Sequence, residues 1–186
     1  MRSQRWRWIP NALTFLRIVL IIPFAGSLLA EHYRQALLIF GAAAITDAVD
    51  GFLARHFGWR SRVGAIADPL ADKALLITSY LMLTLTAVLP VWLFLVVLAR
   101  DLLIVGGALA YHVGIGRYEM APSLPGKINT LVQILVVLSI IILLADWPMQ
   151  PWVVDVGIAL VTVSAAVSGG HYLWVWGRKA WKETRP

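Results

Sequence analysis

The stretch that decides the fold of this chain runs from Thr46 to Lys73 and reads TDAVDGFLARHFGWRSRVGAIADPLADK. It holds four of the ten acidic residues in a chain of 186 residues. On helices with 3.6 residues per turn, the first two carboxylates share one face with two small residues, and the last two share a face with a glycine. The two sets are Asp47, Asp50, Gly51 and Ala54, and then Gly64, Asp68 and Asp72.

The rest of the chain is unusually apolar. Hydrophobic residues make up 60% of it and the mean hydropathy is +0.77, which excludes an ordinary soluble core. Crossing a bilayer takes about 20 apolar residues. Continuous apolar runs favour helices over alternating barrel strands. We therefore predict a single all-α membrane domain, 1–186, with transmembrane helices at about 12–30, 34–54, 65–86, 89–111, 128–145 and 152–176.

Basic residues predict the orientation, because cytoplasmic loops collect Lys and Arg. Twelve Lys and Arg residues lie on one side of the predicted spans, and only Arg34 lies in the loops on the other side. We therefore expect both termini to be cytoplasmic and the protein to lie in a bacterial inner membrane. The start, MRSQRWRWIP, fits a short interfacial helix. The net charge of +6 indicates anionic lipid head groups as partners and no nucleic acid. The twelve residues on the cytoplasmic side are Arg2, Arg5, Arg7, Arg55, Arg60, Arg62, Arg117, Lys127, Arg178, Lys179, Lys182 and Arg185.

Four carboxylates within spanning helices are too costly to face lipid, so they should face one another or a polar cavity. Their mutual repulsion calls for one or two divalent cations. Oxygen ligands suit Mg²⁺ or Mn²⁺, and such a site can clamp a diphosphate. The small residues Gly51, Ala54 and Gly64 would let a nucleotide approach the helices, and Arg55 would add a positive charge near its phosphates.

Other charged residues lie inside the predicted spans and are candidates for binding an anionic acceptor. They are Arg17, Arg100 beside Asp101, and Lys127. Two alternatives stay open. Arg17 and Lys127 can snorkel to the inner interface, and Asp101 can pair with Arg100 and make both structural.

The Thr46–Lys73 stretch resembles the CDP-alcohol phosphotransferase family at every specified position of its motif. That motif reads Asp-x-x-Asp-Gly-x-x-Ala-Arg, eight residues, Gly-x-x-x-Asp-x-x-x-Asp. The resemblance implies six spanning helices and a cytoplasmic site where Asp47, Asp50, Asp68 and Asp72 ligate two metal ions. It also implies that Asp72 is the general base on the acceptor hydroxyl, and that the protein is a homodimer.

Further stretches are similar to the CMP-forming cardiolipin synthases within that family: IPNALTFLR, LPVWLFLVVLARDLL, APSLPGKINTLVQ and GRKA. This implies transfer of a phosphatidyl group from CDP-diacylglycerol to phosphatidylglycerol, with Arg17, Arg100 and Lys127 binding the acceptor and Asn11 and Thr14 helping to bind CDP. The alternative is a phosphatidylglycerophosphate synthase, whose acceptor is glycerol 3-phosphate. Those relatives share Pro10, Asn11, Thr14 and Arg17 but typically have Arg-Glu in place of Arg100-Asp101.

Two other classes of function are less favoured. Intramembrane carboxylates also mark ion-coupled carriers, but the chain shows no paired halves with interrupted helices. A catalytically silent scaffold would be free to lose at least one motif aspartate, and the motif is complete.

Overall fold

The described part of the chain forms six helices in a computed structural model. The backbone is described for residues 9–56, 62–114 and 123–183, and the side chains for 12–49, 51–52, 67–107, 123–175 and 178. The predicted all-α class is confirmed, while the predicted interfacial segment lies largely outside the described residues. The helices are α1 (Ile9–Leu29), α2 (Tyr33–His56), α3 (Arg62–Leu85), α4 (Val91–Gly114), α5 (Leu124–Leu144) and α6 (Trp152–Glu183).

Three of the helices are long and apolar enough to cross a membrane, judged on the described residues. The windows are Ala12–Leu29 in α1, Leu124–Leu144 in α5 and Trp152–Val175 in α6. The described parts of α2, α3 and α4 all carry charged side chains. That these three helices also span the membrane stays a prediction.

The chain divides into two compact units. The first comprises residues 1–88 and 141–149, which include α1, α2, α3 and the end of α5. The second comprises residues 89–140 and 150–186, which include α4, most of α5, and α6.

In the first unit, α1 packs against both α2 and α3. Phe24 of α1 and Phe40 of α2 are buried, with ring centroids 5.8 Å apart. Tyr80 and Leu83 of α3 are fully buried as well. Side chains of this size supply most of the packing between helices, so α1 is held in place along both neighbours.

In the second unit, α4 packs against α6, and α5 approaches α6 closely at a glycine. A Cβ atom on Gly157 would lie 2.8 Å from a methyl of Val136, so no larger residue fits without displacing it. Leu93, Val97 and Val161 are buried in the core of this unit.

Three turns of the first unit share one geometry. Glu31, Ala87 and Asp146 have φ angles of 58°, 58° and 63°, in the left-handed region, just past the ends of α1, α3 and α5. At Ala87 the following amide, that of Val88, donates to the carbonyl of Leu83 at 2.9 Å. This is a Schellman helix end, in which glycine is the favoured residue.

We predict that Ala87→Gly stabilises the protein. The left-handed conformation costs a residue with a Cβ roughly 1–2 kcal/mol, and part of this is offset by the greater freedom of glycine in the unfolded chain. The net gain should be about 0.5–1 kcal/mol, seen as a higher Tm in thermal unfolding of the detergent-solubilised protein.

Ala44→Gly is the matched control, because Ala44 is also exposed but lies inside α2. There the substitution should lower stability by about 0.5–1 kcal/mol. Equal loss of stability in the two variants would contradict the assignment of Ala87 to a strained helix end.

Candidate active site

Two polar side chains of α1, Thr14 and Arg17, contribute to the candidate site. Thr14 and Arg17 are three residues apart, so they lie on the same face of a mostly apolar helix. That helix packs on α2 and α3, and both side chains are only 1% exposed. Buried groups of this kind need partners, and both find them on the neighbouring helices.

The guanidinium of Arg17 bridges two carboxylates of the motif. Its Nη2 lies 2.9 Å from Oδ1 of Asp47 on α2, and its Nη1 donates to Oδ1 of Asp72 on α3 at 2.7 Å. Charge-assisted hydrogen bonds of this length are among the strong ones in proteins. One side chain of α1 therefore joins α2 to α3.

Thr14 contacts a third carboxylate. Its hydroxyl donates to Oδ1 of Asp68, and Asp68 lies one helical turn before Asp72 on α3. The three described motif aspartates thus meet side chains from one face of α1, near the start of α1, the end of α2 and the start of α3. The sequence predicted that these carboxylates share a polar site, and the structure brings them to one end of the first unit.

The described charges in this cluster leave an excess of negative charge. Arg17 contacts Asp47 and Asp72, and Asp68 contacts the neutral hydroxyl of Thr14. Even with Lys73, which follows Asp72 on α3, the described carboxylates outnumber the described cations. The side chains of Asp47 and Asp72 are still 48% and 47% exposed, so a cation can reach them. Carboxylate oxygens are the donors that Mg²⁺ and Mn²⁺ prefer, so the donor set fits such ions.

The described residues do not by themselves form a ready-made metal cluster. Among them, no group of three or more His, Cys, Asp or Glu side chains is arranged to hold a metal ion. The fourth predicted ligand, Asp50, has a side chain outside the described residues. The same is true of the side chains of Asn11, Ala54, Arg55 and Gly64, whereas Gly51 is described and lies half-buried on α2.

A second polar cluster lies within the second unit, around Arg100. Arg100 and Asp101 are each 7% exposed, and Nη1 of Arg100 donates to Oδ1 of Asp101 at 2.7 Å. Its Nε and Nη2 donate to the hydroxyl of Ser168 on α6 at 3.2 and 2.6 Å. The pairing with Asp101 that the sequence left open is therefore present.

The sequence reasoning missed the partners that α6 supplies. Ser164, Ser168 and Tyr172 are spaced four residues apart, and this polar stripe on an apolar helix was the available signal. Ser164 donates to the buried Asn129 of α5 at 2.9 Å. The Tyr172 hydroxyl accepts from the amide of Ser123 at 3.3 Å.

Gly126 lies against the same cluster, whereas Lys127 is exposed beside it. A Cβ atom on Gly126 would lie 3.3 Å from both Nη2 of Arg100 and the hydroxyl of Tyr172. Lys127 lies in the first turn of α5 with its side chain exposed. Nothing in the described contacts of Lys127 ties it to Arg100, and its predicted role in acceptor binding stays a prediction.

Two kinds of relative match this chain. This chain is 32% identical to a protein named cardiolipin synthase (CMP-forming) from Rattus norvegicus. The alignment spans 147 residues, which are 69% of this chain and 48% of the relative. The human protein of that name matches to the same extent. A probable phosphatidylglycerophosphate synthase of Mycobacterium tuberculosis is 31% identical over 172 residues, 89% of this chain and 79% of the relative.

The chain thus spans about half the length of these cardiolipin synthases, at 48%, and most of the mycobacterial protein. The family model described as CDP-alcohol phosphatidyltransferase matches residues 7–168, which include every residue of the carboxylate cluster and of the Arg100 cluster except Tyr172. This match covers far more than half of the sequence. The chain belongs to the CDP-alcohol phosphatidyltransferase family.

Proposed function

We propose that this protein transfers the phosphatidyl group of CDP-diacylglycerol to the free glycerol hydroxyl of phosphatidylglycerol, giving cardiolipin and CMP. The observation that carries the proposal is the carboxylate cluster at one end of the first unit, where α1 contacts Asp47, Asp68 and Asp72. Membership of the family supports the reaction class. The names of the rat and human relatives support the acceptor.

Two divalent ions, Mg²⁺ or Mn²⁺, would be held by Asp47, Asp50, Asp68 and Asp72. When bound, they would supply positive charge that holds the diphosphate and stabilises the leaving phosphate. The exposure of Asp47 and Asp72 and the excess negative charge of the cluster support this assignment. The lack of cysteine in the chain is in keeping with a hard, oxygen-binding ion.

Asp72 is the proposed general base. Its carboxylate takes the proton of the acceptor hydroxyl while the acceptor oxygen attacks the phosphorus attached to diacylglycerol. A new P–O bond forms there, and the P–O bond to CMP breaks, so that CMP leaves with the bonding electron pair. Arg17 holds one oxygen of Asp72 at 2.7 Å and thereby orients the carboxylate for this transfer.

The cytidine diphosphate would lie along the motif faces of α2 and α3. Small residues there would allow a close approach of the nucleotide, and a guanidinium would pair with its phosphates. The buried hydroxyl of Thr14 beside Asp68 supports a role for α1 in this binding. The residues proposed to bind CDP are Asn11, Thr14, Asp47, Gly51, Ala54, Arg55 and Gly64.

Arg17, Arg100 and Lys127 are the proposed ligands of the acceptor phosphate. The described contacts of Arg100 use three of its five N–H groups, which leaves it donors for an anion. The exposed side chain of Lys127 supports the same role. Arg17 has both Nη groups on carboxylates, so it contributes mainly charge to an acceptor that comes near.

The second candidate function is phosphatidylglycerophosphate synthesis, with glycerol 3-phosphate as the acceptor. The observation in its favour is the mycobacterial relative of that name, whose match extends over 89% of this chain. The presence of Asp101 after Arg100, where that branch typically has glutamate, favours cardiolipin synthesis.

We further propose a bacterial inner-membrane location with both termini and the carboxylate cluster on the cytoplasmic side, and a homodimer. The three apolar helical windows support a membrane location. The distribution of Lys and Arg in the sequence supports the orientation.

The carboxylate cluster predicts a metal-dependent activity. Asp68→Asn should lower kcat by at least about 100-fold, because it removes one of the carboxylates that would hold the metal ions, which in turn hold the diphosphate. Excess EDTA should stop the wild-type protein, and Mg²⁺ or Mn²⁺ should restore it. Release of CMP from CDP-diacylglycerol measures both effects.

Asp155→Asn is the control for that experiment, since Asp155 is an exposed carboxylate in the first turn of α6. It should retain full activity. Undiminished turnover of the wild-type protein in EDTA would rule out the metal site.

The two acceptors predict different products. Purified protein in lipid nanodiscs should form cardiolipin and CMP from CDP-diacylglycerol and phosphatidylglycerol, identified by mass spectrometry. With glycerol 3-phosphate in place of phosphatidylglycerol, it should form little phosphatidylglycerophosphate. Rapid CMP release with glycerol 3-phosphate and none with phosphatidylglycerol would replace cardiolipin synthesis by the second candidate.

The Arg100 cluster predicts a selective loss in Arg100→Ala. A charged hydrogen bond to the acceptor phosphate is worth about 1.5–3 kcal/mol. Each 1.36 kcal/mol is about tenfold in rate, so kcat/KM for phosphatidylglycerol should fall by roughly 10- to 150-fold. Slow hydrolysis of CDP-diacylglycerol alone should change much less, because its diphosphate would be held by the metal ions of the carboxylate cluster.

Ser168→Ala is the matched variant, because it removes a hydrogen-bond acceptor of Arg100 but keeps the cation. It should lower stability by about 1–3 kcal/mol with a smaller effect on kcat/KM. If Arg100→Ala reduces transfer and hydrolysis equally, Arg100 supports the fold through Asp101 and does not bind the acceptor.

A further inference from the structure

Arg17 has an unusual place among the charged residues of the carboxylate cluster. The guanidinium is 1% exposed, whereas the two carboxylates that it contacts are about half exposed. The cation therefore lies on the buried side of the cluster. A divalent ion approaching Asp47 or Asp72 from outside meets carboxylates that already share a positive charge.

Without that cation, the cluster would be unstable when no metal is bound. Asp47 and Asp72 come from different helices and are both in contact with a single guanidinium, so their carboxylates lie close together. Like charges at such separations repel each other where water is partly excluded. Arg17 neutralises part of this charge and ties α1 to α2 and α3.

The positive charge of Arg17 must also oppose the binding of a divalent ion. Arg17 and the metal are both positive and both draw on the carboxylates of Asp47 and Asp72, so binding of one weakens the interaction of the other. Arg17 is buried under the packed face of α1. If it separated from the two carboxylates, its charge would be unpaired among apolar side chains, so it cannot move away when a metal ion binds.

We infer that Arg17 is a built-in counter-cation, which keeps the metal-free cluster folded and in doing so lowers the affinity of the site for divalent ions. This inference rests on the proposed metal site, and it assigns Arg17 a role in setting metal affinity. The enzyme would then hold its ions weakly enough for them to exchange with the surrounding pool.

Binding of Mn²⁺ to the purified full-length protein, followed by the electron paramagnetic resonance signal of free Mn²⁺, tests the inference. Arg17→Gln should bind Mn²⁺ at least about 10-fold more tightly than the wild type, and its Tm in EDTA should be lower. Arg17→Lys keeps the charge, so its affinity should stay within about 3-fold of the wild type. Arg34→Gln is the control for loss of one positive charge, because Arg34 lies at the opposite end of α2.

The outcomes separate the inference from the metal site on which it rests. Equal or weaker Mn²⁺ binding in Arg17→Gln would overturn the inference and make Arg17 an orienting group only. Absence of Mn²⁺ binding in the wild type and every variant would instead remove the metal site itself.

Failure of Arg17→Gln to fold is also decisive. If Arg17 supplies charge, saturating Mn²⁺ should replace it, so a variant that unfolds in EDTA should fold when Mn²⁺ is present. A variant that stays unfolded in both conditions would show that Arg17 is needed for packing, and it would contradict the role as counter-cation.

Discussion

The bridge from Arg17 to Asp47 and Asp72 is the interaction on which the first unit depends. A buried guanidinium without partners, or two neighbouring carboxylates without a cation, would each be strongly unfavourable among apolar helices. The bridge removes both costs together, because one side chain of α1 neutralises a group on each of its two neighbours. The hydroxyl of Thr14 adds a contact to Asp68 from the same face. The position of α1 along α2 and α3 is thus determined by charge as well as by the packing of Phe24 and Phe40.

The second unit satisfies the same constraint locally. Arg100 pairs with Asp101, the next residue of its own helix, and donates its remaining described hydrogen bonds to Ser168 on α6. Its charge is therefore balanced before any ligand arrives. In the first unit the balance is left incomplete, since Arg17 contacts Asp47 and Asp72 while Asp68 contacts the neutral hydroxyl of Thr14. A cation-binding site needs an excess of negative charge that a cation can reach. The carboxylate cluster has such an excess and the Arg100 cluster does not, which distinguishes the two chemically.

The family accounts for the reaction class better than for the acceptor. Relatives named for two different products, cardiolipin and phosphatidylglycerophosphate, match this chain at 32% and 31% identity. The family model matches residues 7–168 of this chain, which include the three described aspartates of the carboxylate cluster. The acceptors differ in size and in lipid character, but both carry a phosphate beside the reacting glycerol. We propose that Arg100 binds the acceptor phosphate, and a cation in that role would suit either acceptor, so its presence does not decide between them.

The sequence by itself determined the helical class, the positions of the helices and the carboxylate motif. These follow from short-range properties: the length of apolar runs, the spacing of Asp68 and Asp72 by one turn, and the match of a fixed motif. It also raised the pairing of Arg100 with Asp101, since neighbours in sequence are neighbours in space. Only the tertiary structure decided that Arg17 lies under Asp47 and Asp72, and that α6 supplies Ser168 to Arg100. Those contacts join residues far apart in the chain, and they depend on which helix faces pack together, a choice that periodicity within any one helix does not contain.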